Sequence, residues 1–331
     1  MRVAGAIFCI LLGLYLLTTG GHFYAFDEER MYDLTEAIGV RGVLYLNAPD
    51  SDQPPVYSSY GPGQSIAGLP LFLLGEVIAQ GVPEDLRPWI TRAVVGWFNP
   101  LITAFLAALV YLASRRITPH WPALLAALAY GLGSTAWPHT KTFFAEPLTA
   151  LLWFMAFLLV WHPTGPAPTG PAIILAGFLA GLTPSVKIQA GLYIPILWAY
   201  LIAQPEVRRV SLLQAVRTTL QFGLGAAIPL CALALYNLAL FGSPLRTGYG
   251  DSIWELFTTP FSVGFGGQIW GLRRGLIWCM PLSLLIPPAL IVLWRRDRGL
   301  ALFCLAVFMS QLLFYATWFA WDGAGAWGPR F

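Results

Sequence analysis

Charge is what this chain has least of. Lysine, arginine, aspartate and glutamate together make up 11% of its 331 residues, against roughly 25% in soluble globular domains. A soluble domain of this size needs more charge than that to clothe its surface. The shortage excludes a soluble enzyme, and a 57% share of hydrophobic residues excludes a disordered chain. A net charge of +3 supplies no basic footprint for nucleic acid. Cysteine is scarce as well. Cys9, Cys231, Cys279 and Cys304 all sit inside apolar runs, with neither a disulfide framework nor a CxxC metal signature among them. What the chain does have is a mean hydropathy of +0.66, which points to an all-α polytopic membrane protein.

Long apolar stretches fall at 3–19, 66–81, 94–114, 121–134, 147–162, 172–184, 188–203, 218–241, 276–294 and 300–319. A helix crossing the bilayer core needs about 20 residues, within a range of about 17–25. The run at 66–81 is short and carries Pro70 and Glu76, so it is expected to lie in the membrane without crossing it. The runs at 172–184 and 188–203 are also short and read as a tight hairpin around Thr183-Pro184-Ser185-Val186-Lys187. The opening MRVAGAIFCILLGLYLLTTG resembles a signal peptide, but no A-x-A site follows it. A retained signal anchor is the expectation.

Sidedness turns on the 66–81 run. If it crossed, every compact basic cluster would move outside. If it does not, the chain starts inside and residues 20–93 form one large outer region. Arg115-Arg116, Arg208-Arg209-Arg217 and Arg295-Arg296-Arg298 then fall in cytoplasmic loops, as positive-inside counting favours. The expected architecture is a single domain, 1–331, of about nine transmembrane helices with a cytoplasmic N-terminus. A membrane-lying juxtamembrane helix occupies the first extracytoplasmic loop, and a second outer loop covers 242–275. Nine basic residues are then inside and ten outside, but 14 of the 16 acids are outside, all except Glu206 and Asp297. Loops collect polar residues in any membrane protein, which explains most of this asymmetry. Three local groupings go beyond it.

The first is Phe26-Asp27-Glu28-Glu29-Arg30-Met31-Tyr32, directly after the first apolar stretch. Three acids and an arginine at a membrane interface are costly unless solvated or paired. An adjacent Asp-Glu pair can serve as general base or hold a divalent ion such as magnesium or manganese. Arg30 lies about one helical turn on, suited to an anionic phosphate. The same stretch also fits an amphipathic interfacial helix, because Met31, Leu34 and Ile38 are apolar at helical spacing.

The second grouping is Thr140-Lys141-Thr142-Phe143-Phe144-Ala145-Glu146-Pro147. Glu146 precedes a proline that opens the next helix, and a carboxylate there is favoured by the helix dipole. A cap is all that such a position requires. Functionally, Lys141 and Glu146 would face the same outer cavity as Asp27. The third runs from Gly242-Ser243-Pro244-Leu245-Arg246-Thr247-Gly248-Tyr249-Gly250 to Gly271-Leu272-Arg273-Arg274-Gly275. Glycine-rich backbone with interfacial arginines suits a lipid phosphate or diphosphate, although arginines at helix ends more often snorkel. The terminal stretch from Trp318 to Arg330 reads first as an aromatic belt and second as a sugar platform. Before the 66–81 run stands Val56-Tyr57-Ser58-Ser59-Tyr60-Gly61-Pro62-Gly63-Gln64, a turn element. Non-helical backbone at that depth must line a cavity.

In sequence order these pieces resemble the GT-C superfamily of polyprenyl-phosphate-sugar-dependent glycosyltransferases. The order is one span, Asp27-Glu28-x-Arg30, the Tyr57-x-x-Tyr60-Gly61-Pro62-Gly63 turn, a membrane-lying run, a span ending Arg115-Arg116, then Lys141-Thr142-x-x-x-Glu146-Pro147. Within that superfamily the chain looks most like the glycosyltransferase family 39 relatives, the bacterial protein O-mannosyltransferases and the lipid A aminoarabinose transferases. Phe144-Ala145-Glu146-Pro147 matches the second acidic site, and the resemblance runs on through Phe241-Gly242-Ser243-Pro244-Leu245 to Trp327-Gly328-Pro329-Arg330.

The resemblance implies sugar transfer to a lipid, glycan or protein acceptor at the outer face of the bacterial plasma membrane, in the cell envelope. It gives Asp27 the role of principal acid, Glu28 a supporting role or a share in a metal site with Asp27, and Glu146 that of second carboxylate. Arg30 would contact the donor phosphate, and Tyr57 and Tyr60 join the candidates for contact with lipid or sugar. The aminoarabinose transferases carry a lysine where this chain has Tyr60-Gly61-Pro62, so Lys141, Arg273 and Arg274 become further candidates for the phosphate. Family members also continue past Phe331 into further spans, so the expectation is that the family's C-terminal part is missing here. The competing classes are an inactive truncated remnant and a transporter or lipid-linked-sugar flippase. A transporter predicts ionisable residues near mid-bilayer and broken helices meeting there, whereas the charges here gather at the outer boundary.

Overall fold

The computed structural model describes residues 1–47, 54–163, 167–204, 211–250 and 253–323. Glu206, Arg208-Arg209 and the Trp327-Gly328-Pro329-Arg330 match lie outside the described residues. The fold is all-α: the described residues hold no strand, only isolated bridges between Tyr45 and Tyr57 and between Thr247 and Gly250. Three helical segments are long and apolar enough to cross a bilayer, Glu84–Ser114, Leu212–Phe241 and Arg298–Ala316. The chain is therefore a helical membrane protein by length and composition. The other six of the nine expected crossings rest on their apolar runs alone, since Arg2–Thr18, Glu146–Val160, Gly170–Val186 and Ile188–Ala203 are all shorter.

Contacts divide the chain into two compact units. The first comprises Met1–Leu151, Ser185–Lys187 and Ala234–Asp251. It contains α1 (Arg2–Thr18), α2 (Phe26–Glu36), α3 (Gly63–Ala79), α4 (Arg87–Val95), α5 (Phe98–Ser114), α6 (His120–Gly133) and the first turn of α7 (Glu146–Val160). Its core lies between α1, α5 and α6. Ala4, Ile7, Leu11 and Tyr15 recur at helical spacing on α1 and meet the small faces Ala104, Ala107 and Ala108 of α5 and Ala123 and Ala127 of α6. The buried Tyr15 hydroxyl finds its partner in the Gly131 carbonyl at 2.8 Å, as a buried phenol must.

The α3 helix buries one face, Gln64, Ser65, Gly68, Phe72, Gly75 and Ala79, and leaves Ile66, Leu73, Leu74, Val77 and Ile78 exposed on the other. It pairs with α4 at van der Waals range. A β-carbon at Gly75 would stand 2.9 Å from Thr91 Cα, and the Thr91 hydroxyl donates to Glu76 at 2.8 Å. The Ser65 hydroxyl donates to the Met31 carbonyl at 2.7 Å, which fastens α3 to α2.

The second unit comprises Leu152–Pro184, Ile188–Leu233 and Ser252–Phe331. It holds the rest of α7, α8 (Gly170–Val186), α9 (Tyr193–Ala203), most of α10 (Leu212–Phe241), α11 (Phe261–Trp270), α12 (Ile286–Arg296) and α13 (Arg298–Ala316). Rings from two helices pack on Phe303 of α13: Trp153 and Phe157 of α7 at 6.0 and 5.0 Å and Tyr200 of α9 at 4.7 Å between centroids. The expected span at 276–294 is not one helix here. A single turn at Leu276–Cys279 ends at Met280, whose backbone is non-helical, a 3₁₀ turn follows at Pro281–Leu285, and α12 starts only at Ile286. Pro281 explains the break, because a proline drives the residue before it out of the helical region.

Helices α8 and α10 meet through small residues, as membrane helices do when backbones must approach closely. A β-carbon at Gly177 would come within 2.1 Å of the Phe222 carbonyl oxygen, and one at Gly225 within 2.0 Å of the Ile174 oxygen. Gly177→Val is accordingly expected to destabilise the unit by about 1–3 kcal/mol, the usual cost of overpacking. Gly223→Ala, which meets nothing within 4 Å, is the control. Thermal unfolding of both variants in detergent checks this, with a lowered midpoint expected for the first alone.

Candidate functional site

The acidic stretch at 26–32, the Tyr57–Gln64 turn and the 139–146 loop all fall within the first unit. Helix α2 begins after Ala25, which is extended, and puts Asp27, Glu28 and Glu29 in its first turn. Unpaired N–H groups and the helix dipole favour carboxylates there. The three diverge at once. Glu28 is fully buried; one carboxylate oxygen accepts the Tyr24 N–H at 3.2 Å and the other accepts the Phe143 N–H at 2.8 Å. Glu29 takes Arg92 of α4 in a two-pronged pair at 2.7 and 2.9 Å, and the guanidinium lies over the Tyr32 ring. Asp27 is partly exposed at the start of the helix.

Side chains from three elements hold the 139–146 loop. Besides Glu28, Gln64 of α3 donates to the Phe143 carbonyl at 3.2 Å. Asn99 of α5 donates to the carbonyls of Thr142 at 2.7 Å and Phe144 at 2.9 Å. The Phe143 ring is wedged between Phe23 and Phe98. At the end of this loop Glu146 opens α7 and accepts Lys187 Nζ at 3.1 Å, with both side chains largely buried. The Tyr60-Gly61-Pro62-Gly63 turn receives the Ser185–Lys187 segment. A β-carbon at Gly61 would lie 2.2 Å from the Ser185 carbonyl oxygen, and one at Gly63 2.7 Å from the Ser185 hydroxyl. Tyr57 and Tyr60 meet Phe241 and Tyr249 edge-on, with centroids 5.7 and 5.9 Å apart.

Each expected site residue can now be placed. Asp27, Glu28, Glu146, Tyr57, Tyr60 and Lys141 all belong to the first unit. Arg30, half-buried on α2, lies over the Phe26 ring at 4.8 Å. Arg273 and Arg274 belong to the second unit, where Arg273 is exposed and Arg274 donates to the Asp322 carbonyl at 3.1 Å. Glu28, fully buried with a backbone donor on each carboxylate oxygen, ties α2 to the Phe143 loop. Among the described residues no group of three or more His, Cys, Asp or Glu side chains is placed to hold a metal ion.

Four residues that hold the site were not singled out from sequence: Lys187, Asn99, Gln64 and Arg92. Lys187 alone carried a usable signal, as the single charge in the apolar stretch from 172 to 203. The α2 surface also holds an electrostatic cluster. Burial, and next the neighbouring Glu29, push the Asp33 carboxyl above its ordinary value, against the pull of Arg30 and Arg92. Its contribution to stability is therefore complete below about pH 3.9, the unperturbed aspartate value, and is lost as pH rises through its own higher value. Unfolding midpoints measured from about pH 4 to pH 7 are expected to fall more steeply in the wild type than in Asp33→Asn. No protein-family model, curated protein or solved structure matches the chain.

Proposed function

We propose that the chain is a membrane glycosyltransferase that moves a sugar from a polyprenyl-phosphate donor to a hydroxyl- or amine-bearing acceptor at the outer membrane face. The observation that carries this reading is the Glu28 carboxylate on the Phe143 N–H. It brings the first-loop acids and the Glu146 loop, 115 residues apart, into one assembly, as the order of motifs resembling the GT-C superfamily leads one to expect. The rest of the site supports it: the glycine turn and the 241–249 loop pack in the same unit.

On this reading Asp27 takes the proton from the acceptor as its oxygen or nitrogen bonds to the anomeric carbon of the sugar. The bond from that carbon to the donor phosphate oxygen breaks at the same time, and polyprenyl phosphate leaves with the negative charge. Arg30, a permanent cation one turn from Asp27, balances that charge; oriented cations act most strongly where water is excluded. Glu146 orients the acceptor. Glu28 takes no proton and sets the position of its neighbour. Nine crossings, a cytoplasmic N-terminus and an outward-facing site in a bacterial plasma membrane complete the proposal. Its test is transfer of label from a sugar-labelled polyprenyl-phosphate donor to acceptors in an envelope extract by the purified chain. Label that stays on the donor would reject it.

A further inference from the structure

We propose that Lys187 is the positioning residue of the Glu146 carboxylate; this rests on the glycosyltransferase reading above. Helix α7 begins at Glu146, with Pro147 second, and the helix start by itself already favours negative charge at this position. Lys187 nevertheless reaches it at 3.1 Å, with the two side chains only 15% and 12% exposed. Burying both charges forfeits hydration that their attraction only partly returns, and apolar replacements of such pairs are often as stable as the pairs themselves. Stability is a poor explanation for the arrangement. What a lysine in this place does supply is one fixed direction for a carboxylate oxygen.

The route by which Lys187 arrives points the same way. It follows directly on α8, whose last residues include Pro184. Only Ser185–Lys187 of this stretch packs with the first unit. The bare backbone of Gly61 and Gly63 admits Ser185, where any side chain would collide with it. The three-residue segment thus sits in a cradle formed by the Tyr60-Gly61-Pro62-Gly63 turn. Its one charged side chain ends on the carboxylate that the transfer reaction uses to orient the acceptor.

Three variants test this with donor kinetics and thermal unfolding. Lys187→Met is expected to lower kcat about 100-fold, the scale of an ångström's misplacement in a reacting group, with the KM for the polyprenyl-phosphate-sugar donor within about two-fold. Lys187→Arg, which keeps a cation within reach, should recover about 10-fold of that loss. The double variant Lys187→Met/Glu146→Gln should unfold close to the wild-type midpoint yet stay inactive. A kcat unchanged in Lys187→Met overturns the proposal, and so does a double variant that unfolds far below wild type, since the pair is then structural. A wild type that transfers nothing overturns the glycosyltransferase reading and this inference together, whereas either of the first two results overturns the inference alone.

Discussion

Glu28→Ala is expected to be the most damaging single change to the fold of the first unit. It strips the fully buried Phe143 N–H of its partner and also releases the Tyr24 N–H, whose residue is exposed. One orphaned buried donor, the Phe143 N–H, costs about 1–3 kcal/mol before any cavity is counted. Against whole-domain stabilities of about 5–15 kcal/mol, that is a large share. Glu28→Gln keeps one acceptor oxygen but turns an amide NH₂ toward the other N–H, so it should recover only part of the loss. Thermal unfolding, with amide exchange at Phe143, reads both effects. A Glu28→Ala protein that unfolds at the wild-type midpoint with a protected Phe143 amide would show that this tie holds nothing together.

Asp27→Asn is expected to leave the fold intact and abolish the proposed chemistry. Asparagine keeps the size of the side chain, and the lost interaction with the helix start is about 0.3–1 kcal/mol. The role proposed for Asp27 is to take the acceptor proton, and an amide cannot accept it. Removing a general base lowers rates by about 10²–10⁴-fold. The expected pair of results is an unfolding midpoint near wild type and a transfer rate reduced on that scale. The contrast with Glu28 separates the two acids that stand side by side: one change breaks structure, the other only chemistry. An Asp27→Asn protein that transfers at the wild-type rate would remove the principal acid from the account.

The contrast also marks how far the sequence could be read. Asp27-Glu28-Glu29 announced a helix start rich in acids, and α2 begins there. Pro147 announced the start of α7, which begins one residue earlier, at Glu146. These are local signals, set within one turn by capping and by proline's missing donor. The division of labour among the three acids was not legible, because it depends on partners 115 and 63 positions away. Adjacent residues on a helix point about 100° apart; which of them meets Phe143 and which meets solvent is decided by packing. Lys187 escaped notice for the same reason. Sequence spacing sets Lys141 and Glu146 toward one cavity, but the cation that meets Glu146 is Lys187, delivered by a glycine cradle from another part of the chain. The break within 276–294 was hidden for another reason: hydropathy sums residues and ignores Pro281, whose effect on Met280 is local and steric.

The central claim is that this chain breaks the bond between a polyprenyl phosphate and its sugar from the outer side of the membrane. Proteoliposomes carrying the chain in one orientation, with a sugar-labelled polyprenyl-phosphate donor confined to one leaflet, test it most directly. The account predicts free polyprenyl phosphate and labelled acceptor only when the donor lies in the leaflet facing Asp27 and Glu146. Donor recovered chemically intact from both leaflets, or intact donor carried from one leaflet to the other, would contradict it.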